Sequence, residues 1–318
     1  MTHRDFIIVE GPDGVGKTTV AKYLAATYDL YYRHVGPPEP GTSVFVQYAG
    51  HLLPQNLAAS AVKPRGVPRG MVWDRFYLGE RVYGPEVRGF DGLGVIHQRM
   101  LERILLGLNA FHVRPIPYYE VGLTHWSQRV AAGTELVKDP DAYNRLWFRY
   151  HEIFRDSALP VVSFDHTEES WSDLNEAIRR TQEAYPNNQG PGIGRWRSGN
   201  ILLVGDRVNV KQPGSYHLWP FVGLGGSSYW LTERLEEWGI SEDNLYWVNV
   251  NNNDPNSPGQ LVNPTWLKIL KPSIIVALGR EAQRWCQYHK VKHVPTTHPA
   301  AWKRFHSKQP YPLKSILL

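Results

Sequence analysis

The sequence predicts an α/β protein: a doubly wound parallel sheet, followed by a second α/β/α domain. Three observations predict it. Between Phe6 and Tyr185, short apolar runs alternate with stretches of helical period, the order that builds a parallel sheet with helices on its faces. One apolar run, Phe6-Ile7-Ile8-Val9, leads straight into Gly11-x-x-x-x-Gly16-Lys17-Thr18 and then a helical stretch at 20–28. After Pro186-Asn187-Asn188-Gln189-Gly190-Pro191-Gly192-Ile193-Gly194, a linker by composition, the pattern of strand, glycine and acid restarts at Ile201-Leu202-Leu203-Val204-Gly205-Asp206. The expected domains are residues 1–186 and 199–318, with a linker over 187–198.

The segment Glu10-Gly11-Pro12-Asp13-Gly14-Val15-Gly16-Lys17-Thr18-Thr19 lies between strand and helix, the setting of a phosphate-binding loop. Gly11, Gly14 and Gly16 let the backbone curl so that several N–H groups face one anion. The helix start adds the positive end of its dipole. Lys17 then reaches β/γ-phosphates, Thr18 offers its hydroxyl to Mg²⁺, and Thr19 completes the expected nucleotide-binding set.

Residues 31–35 read as the second strand, ended by Gly36-Pro37-Pro38. Residues 49–69 are punctuated by proline, with a weak helical stretch near 56–62. Gly70-Met71-Val72-Trp73-Asp74 is a strand ending in an acid, followed by Arg75. Ligands of open parallel sheets bind beyond the carboxyl ends of the strands. Asp74 there suits Mg²⁺ or its water, and Arg75 suits a phosphate fork; a surface salt bridge is the plainer alternative. A helix is expected over 97–113, its stripe of Met100, Leu101, Ile104, Leu105 and Leu108 facing the core with Arg99 and Arg103 off it. A strand at 116–121 and a helix at 126–132 follow. Arg129 and Lys138 are candidates for a cationic lid over the phosphates, or else plain solvated charges. A helix at 141–156, a strand at 159–164 and a helix at 168–185 complete this half.

In the second half, a Gly-rich loop over 218–226 opens a helix at 227–238, stopped by Gly239. Strands are expected at 245–250 and 273–278; Gly279 then opens a helix, and Val294 leads to Thr297-His298-Pro299-Ala300. Cys286, His289, His293 and His298 have only loosely zinc-like spacing and span helix, loop and strand, so no metal is expected there. Lys290, Lys292, Lys303, Arg304 and Lys308, interleaved with Trp302 and Phe305, suit either a phosphate-tracking face or a solvated tail.

Charge separates the halves. Residues 1–190 carry 20 Lys+Arg against 22 Asp+Glu, while residues 191–318 carry 15 against 8, a net +7 that points to a polyanion, most simply DNA. No apolar run is long enough for a membrane span. The single cysteine, Cys286, excludes an internal disulfide, and with a first strand close to Met1 the expectation is cytoplasmic.

The P-loop sequence together with Trp73-Asp74-Arg75-Phe76 resembles the thymidylate kinase branch of the nucleoside monophosphate kinases. The stretch Asp74-Arg75-Phe76-Tyr77-Leu78-Gly79-Glu80-Arg81-Val82-Tyr83-Gly84-Pro85 is similar to phage-encoded thymidylate-kinase-like proteins, which include kinases proposed to act on 5-hydroxymethyluracil in phage DNA. The resemblance implies a P-loop kinase using ATP and Mg²⁺, with Asp13 near the acceptor, Arg75 on the acceptor phosphate, and Glu80 and Arg81 lining the acceptor pocket. If phage-encoded, the protein works in host cytoplasm. Pro220-Phe221-Val222-Gly223-x-Gly225-Gly226, Val248-Asn249-Val250, the run from Ile274 to Gly279, and His298-Pro299-Ala300 resemble the uracil-DNA glycosylase superfamily. That resemblance implies Phe221 stacking on an extruded base, Asn249 bonding its edge and His298 contacting it, with Asp206 a candidate for orienting water. The expected activity is phosphoryl transfer to a thymidine-like acceptor, favouring a modified thymine in DNA. A free dTMP or 5-hydroxymethyl-dUMP kinase, and a bifunctional kinase and glycosylase, stay open.

Overall fold

Ile7, Ile8 and Val9 are completely buried, as the interior strand of a sheet covered on both faces must be. They belong to β1 (Asp5–Val9), the middle of a five-stranded sheet with β2 (Tyr31–His34), β3 (Gly70–Asp74), β4 (Phe111–Pro115) and β5 (Val161–Phe164). In the computed structural model, which describes residues 5–52, 70–206, 219–251, 264–306 and 308–318, these strands run in the order β2–β3–β1–β4–β5. Every pairing is parallel. The weak helix expected near 56–62 lies outside the described residues.

Around this sheet stand α1 (Lys17–Thr27), α2 (Val44–His51), α3 (Tyr77–Tyr83) with a π turn at Gly84–Arg88, α5 (Tyr119–Ala131), α6 (Pro140–Asp156) and α7 (Trp171–Ala184), while α4 (Gly94–Gly107) lies between α3 and α5 in sequence. Val20, Leu24, Leu174 and Ile178 pack on Ile7, Val9, Val113 and Phe164 in one core cluster. Ser170 starts α7 in a capping box with Asp173, which satisfies two end groups of the helix at once.

Two expectations in this half are corrected. The helix expected over 97–113 stops at Gly107, because Asn109 takes a left-handed conformation (φ 57°) that ends it. Phe111 and Val113 then enter β4 opposite Ile7 and Val9. The strand expected at 116–121 is instead a loop leading into α5, with Ile116 N–H donating to the Phe164 carbonyl at 2.9 Å.

A second sheet has the order β10–β9–β7–β8–β6, from β6 (Ile193–Gly194), β7 (Ile201–Gly205), β8 (Leu245–Asn249), β9 (Ile274–Leu278) and β10 (Val294–Thr296). Only β6 is antiparallel. Its helices include α8 (Gly226–Glu237), α9 (Leu267–Leu270), α10 (Arg280–Tyr288), α11 (Pro299–Phe305) and α12 (Leu313–Leu317). Leu202, Val204, Tyr246, Val248, Trp285 and Cys286 belong to its core.

The expected linker is therefore partly sheet. A Cβ on Gly192 would lie 2.1 Å from the Trp247 carbonyl oxygen, and one on Gly194 would lie 2.5 Å from that of Leu245. These glycines allow backbone to close on β8 rather than conferring slack. The unit boundaries also differ from 186 and 199. One unit spans Met1–Gly94 and Asn109–Tyr185; the other spans Val95–Leu108 and Pro186–Leu318. Most of α4 thus belongs to the second unit although its sequence lies within the first. No helix among the described residues is long and apolar enough to cross a membrane.

Candidate functional site

The turn after β1 closes on the start of α1 through Gly16, whose left-handed backbone (φ 81°) precedes Lys17. Lys17 Nζ donates to the Pro12 carbonyl at 2.5 Å and to Asp13 Oδ1 at 3.3 Å. Arg75 Nη2 reaches the same Asp13 oxygen at 2.6 Å. Arg75 holds a left-handed φ of 69°, unusual for a residue with a Cβ, directly after β3. Asp13, Gly14, Gly16, Lys17, Thr18, Thr19 and Arg75 share the wall of one cavity of ≈ 320 Å³ with His125, Gln128 and Arg129.

Asp74 is fully buried against Thr18, which lines the cavity. Its Oδ2 accepts from Thr18 Oγ1 at 2.7 Å and Tyr32 Oη at 2.8 Å, with His34 Nδ1 3.2 Å away. Its Oδ1 is buried with no hydrogen-bond partner among the described residues. An unpartnered carboxylate oxygen beside a threonine hydroxyl is a hard oxygen donor set that fits Mg²⁺. Burial raises the Asp74 carboxyl, but the bonds from Thr18, Tyr32 and His34 outweigh it and hold Asp74 ionised below the usual carboxylate range. Burial likewise opposes ionisation of Asp13, and the Lys17 and Arg75 charges reverse that effect. Burial lowers the Lys17 ammonium against the pull of Asp13.

Glu10 ties the loop to the strand end that carries Arg75. Its Oε1 accepts from Phe76 N–H at 2.7 Å and Gly79 N–H at 3.3 Å, the amides opening α3. Burial pushes Glu10 up to about 7, although those amides favour its charge. The folded state therefore binds this proton more tightly than the unfolded chain. The contribution to stability is full below about pH 4.5, and it is lost as pH rises through about 7, by about 3 kcal/mol. Glu10→Gln keeps an oxygen for the two amides and removes the titration. Denaturant unfolding at pH 5 and pH 8 is expected to show the variant gaining on the wild type at pH 8. Parallel stability curves for the two proteins would exclude this account.

Arg129 lines the cavity, as the lid expectation requires, and pairs with the buried Glu135. Burial and the neighbouring Asp13 raise Glu135, while Arg129 lowers it. Lys138 is not part of this wall. It is exposed in the run before α6, where the Val137 carbonyl is pinned by Trp126 Nε1 at 2.9 Å. Glu80 is buried and paired with Arg88, and Arg81 Nε donates to Asp91 Oδ2 at 3.2 Å, so neither lines this cavity. Sequence reasoning missed His125 and Gln128, which share a helix face with Arg129 by their three- and four-residue spacing. It also missed Glu135, Arg88 and His166, whose Nε2 lies 3.4 Å from where a Gly16 Cβ would be.

The second unit gathers its four expected residues at the carboxyl ends of β7, β8 and β9. Gly205 pairs with Asn249 on one side and Leu278 on the other. A Cβ on Gly205 would lie 2.4 Å from both Asn249 Oδ1 and Phe221 Cε2. The Phe221 ring stacks with His298 at 6.1 Å and 28°. Asp206 Oδ1 accepts from Ala282 N–H at 2.8 Å, in the first turn of α10, and so is engaged in capping. His298 Nδ1 accepts from Ala300 N–H at 3.2 Å, which assigns the neutral ring's proton to Nε2. Burial keeps His298 neutral more strongly than Asp206 favours its charge. The cluster offers an aromatic face, an amide and an imidazole N–H donor, the fittings for a planar heterocycle. Lys290, Lys292, Lys303, Arg304 and Lys308 are all exposed. Residues 207–209 and 252–255, which adjoin the expected glycosylase-like segments, lie outside the described residues.

No protein-family model matches the sequence, and no curated protein matches it. Among solved structures, the YorR protein of Bacillus subtilis in complex with phosphorylated GDP is similar at 19% identity, over 56% of this chain and 95% of that one, with a TM-score of 0.38. Deoxyadenosine kinase from M. mycoides with bound dCTP is similar at 15% identity, over 56% of this chain and 99% of that one, with a TM-score of 0.34. The same enzyme with bound dATP gives 13%, 55%, 97% and 0.34 in the same order.

Proposed function

We propose that the first unit transfers the γ-phosphate of ATP to a thymidine-like pyrimidine acceptor. The favoured acceptor is 5-hydroxymethyluracil, or a related modified thymine, in DNA bound by the second unit. The observation that carries the kinase reading is the ≈ 320 Å³ cavity walled by Lys17, Thr18, Arg75 and Arg129 at the end of β1. Three cations converge there around a helix start, the arrangement that binds and neutralises a polyphosphate.

Thr18 and Asp74 are the residues that would hold Mg²⁺, and the ion when bound neutralises charge on the β- and γ-phosphate oxygens. Lys17 and the loop amides grip the donor. Arg75, steadied by Asp13, orients the incoming acceptor. Arg129 is the lid cation, released from Glu135 as phosphate takes its place. Catalysis is mainly positioning and charge neutralisation, since phosphoryl transfer asks little covalent chemistry of the protein.

The preference for a DNA acceptor rests on the cluster of Phe221, Asn249 and His298 in a basic unit, because a kinase of free nucleotides has no use for a second base site. Phe221 and His298 are in ring contact, so a base stacking on Phe221 displaces the imidazole. The test is incubation with γ-labelled ATP and, in parallel, dTMP, 5-hydroxymethyl-dUMP, and duplexes containing thymine, uracil or 5-hydroxymethyluracil. Label in the 5-hydroxymethyluracil duplex alone is expected. Label in free nucleotide refutes the DNA acceptor, and abasic sites in the uracil duplex without any label point to a glycosylase instead. Arg75→Gln is expected to raise the KM for the acceptor about tenfold or more while changing that for ATP little.

A further inference from the structure

Helix α4 carries an arginine that the kinase reading gives no task. Its spacing places Arg103 off the apolar stripe of the helix, yet Arg103 is completely buried. Its Nε donates to Glu242 Oε2 at 3.0 Å, and its Nη2 to Thr232 Oγ1 at 3.0 Å. Its Nη1 donates to the main-chain carbonyl of Phe221 at 2.5 Å. The guanidinium carbon lies 3.8 Å from the centre of the Trp247 ring. Trp247 in turn packs on the Phe221 ring at 5.3 Å and donates from Nε1 to Glu242 Oε2 at 3.2 Å.

Phe221 needs such a hold. Its φ of 53° is left-handed, which costs a residue with a Cβ conformational free energy. A hydrogen bond from a charged donor to that carbonyl contributes a comparable amount. The bond fixes the peptide plane after Phe221, and the Trp247 face fixes its ring against Gly205, Asn249 and His298. Only a planar fork of donors can serve Glu242, Thr232 and the carbonyl at once.

We propose that Arg103 is a positioning residue of the Phe221 cluster. Base recognition by the second unit then depends on a helix whose sequence is embedded in the first. This inference deepens the base-binding reading above and rests on it. It also means that residues 187–318 expressed alone would lack a buried part of their own base site.

Two variants of the full chain test it. Arg103→Lys keeps a cation opposite Glu242 but cannot pair with it and also reach Phe221. The double variant Arg103→Met with Glu242→Leu removes both charges, so that neither member of the buried pair is left alone. Amide hydrogen exchange at Phe221 and Val222 is one readout. The other is the preference for an oligonucleotide carrying one 5-hydroxymethyluracil over the same oligonucleotide with an abasic site there. In both variants, exchange at those two amides is expected to rise about tenfold while β7 stays protected. The base preference is expected to fall about tenfold, with affinity for the abasic oligonucleotide unchanged. Unchanged exchange at Phe221 and Val222, or a retained base preference, in both variants overturns the proposal. Should the wild type show no base preference while Arg103→Lys still loosens those amides, the base-binding reading falls and the hold of Arg103 on Phe221 stands.

Discussion

Lys17→Ala is expected to lower kcat/KM for phosphoryl transfer by about a thousandfold, or about 4 kcal/mol, with the fold intact. Lys17 is 5% exposed, so its charge acts in a setting where water screens it weakly. Burial already works against that charge, and Asp13 sustains it. An incoming polyphosphate supplies far more negative charge than Asp13, so the ammonium binds most strongly when the donor is present. Structure does not rest on it: its partner Asp13 lines the cavity and keeps Arg75 at 2.6 Å. Steady-state kinetics at saturating acceptor, beside a thermal melt, check this. Turnover within about tenfold of the wild type, from a protein that melts normally, would remove the cavity from the mechanism.

The strands and helices that carry these sites were legible in the sequence because their signals are local. A run such as Phe6 to Val9 is short enough for a buried strand, and Gly11, Gly16 and Lys17 have fixed spacing at its end. Asp74 and Arg75 were legible as strand-end residues, although not the left-handed turn that aims Arg75 at Asp13. What was missed depends on contacts distant in sequence. Arg103 is legible only as a charge off the apolar stripe, because its partner Glu242 lies 139 residues later. Lys138 and Arg129 look alike as lid cations in sequence, and only Arg129 of the two lines the cavity. The strand at Ile193–Gly194 is not legible in the composition of 187–198, because glycine and proline announce irregular backbone equally well whether that backbone is loose or pressed against a strand.

Gly205→Ala is the corresponding test of the second unit, and its expected effect is loss of the base site without loss of the kinase. Backbone strain plays no part, since Gly205 ends the regular strand β7 and pairs on both sides. The effect comes from the methyl group alone, which would sit 2.4 Å from Asn249 Oδ1 and from Phe221 Cε2, and 2.8 Å from Phe221 Cζ. Neither neighbour yields cheaply. Asn249 closes β8, and Phe221 is held between Trp247 and His298 on a left-handed backbone. Overpacking of this kind costs about 1–3 kcal/mol, which a unit with a well-filled core survives. The clash instead turns the aromatic face and the amide away from where a base would meet them. The preference for a base over an abasic site is expected to fall more than about tenfold. ATP hydrolysis with water as acceptor stays at the wild-type rate, because Lys17, Thr18 and Asp74 are in the other unit. A variant that keeps full base preference would show that Phe221 and Asn249 face nothing that the protein binds.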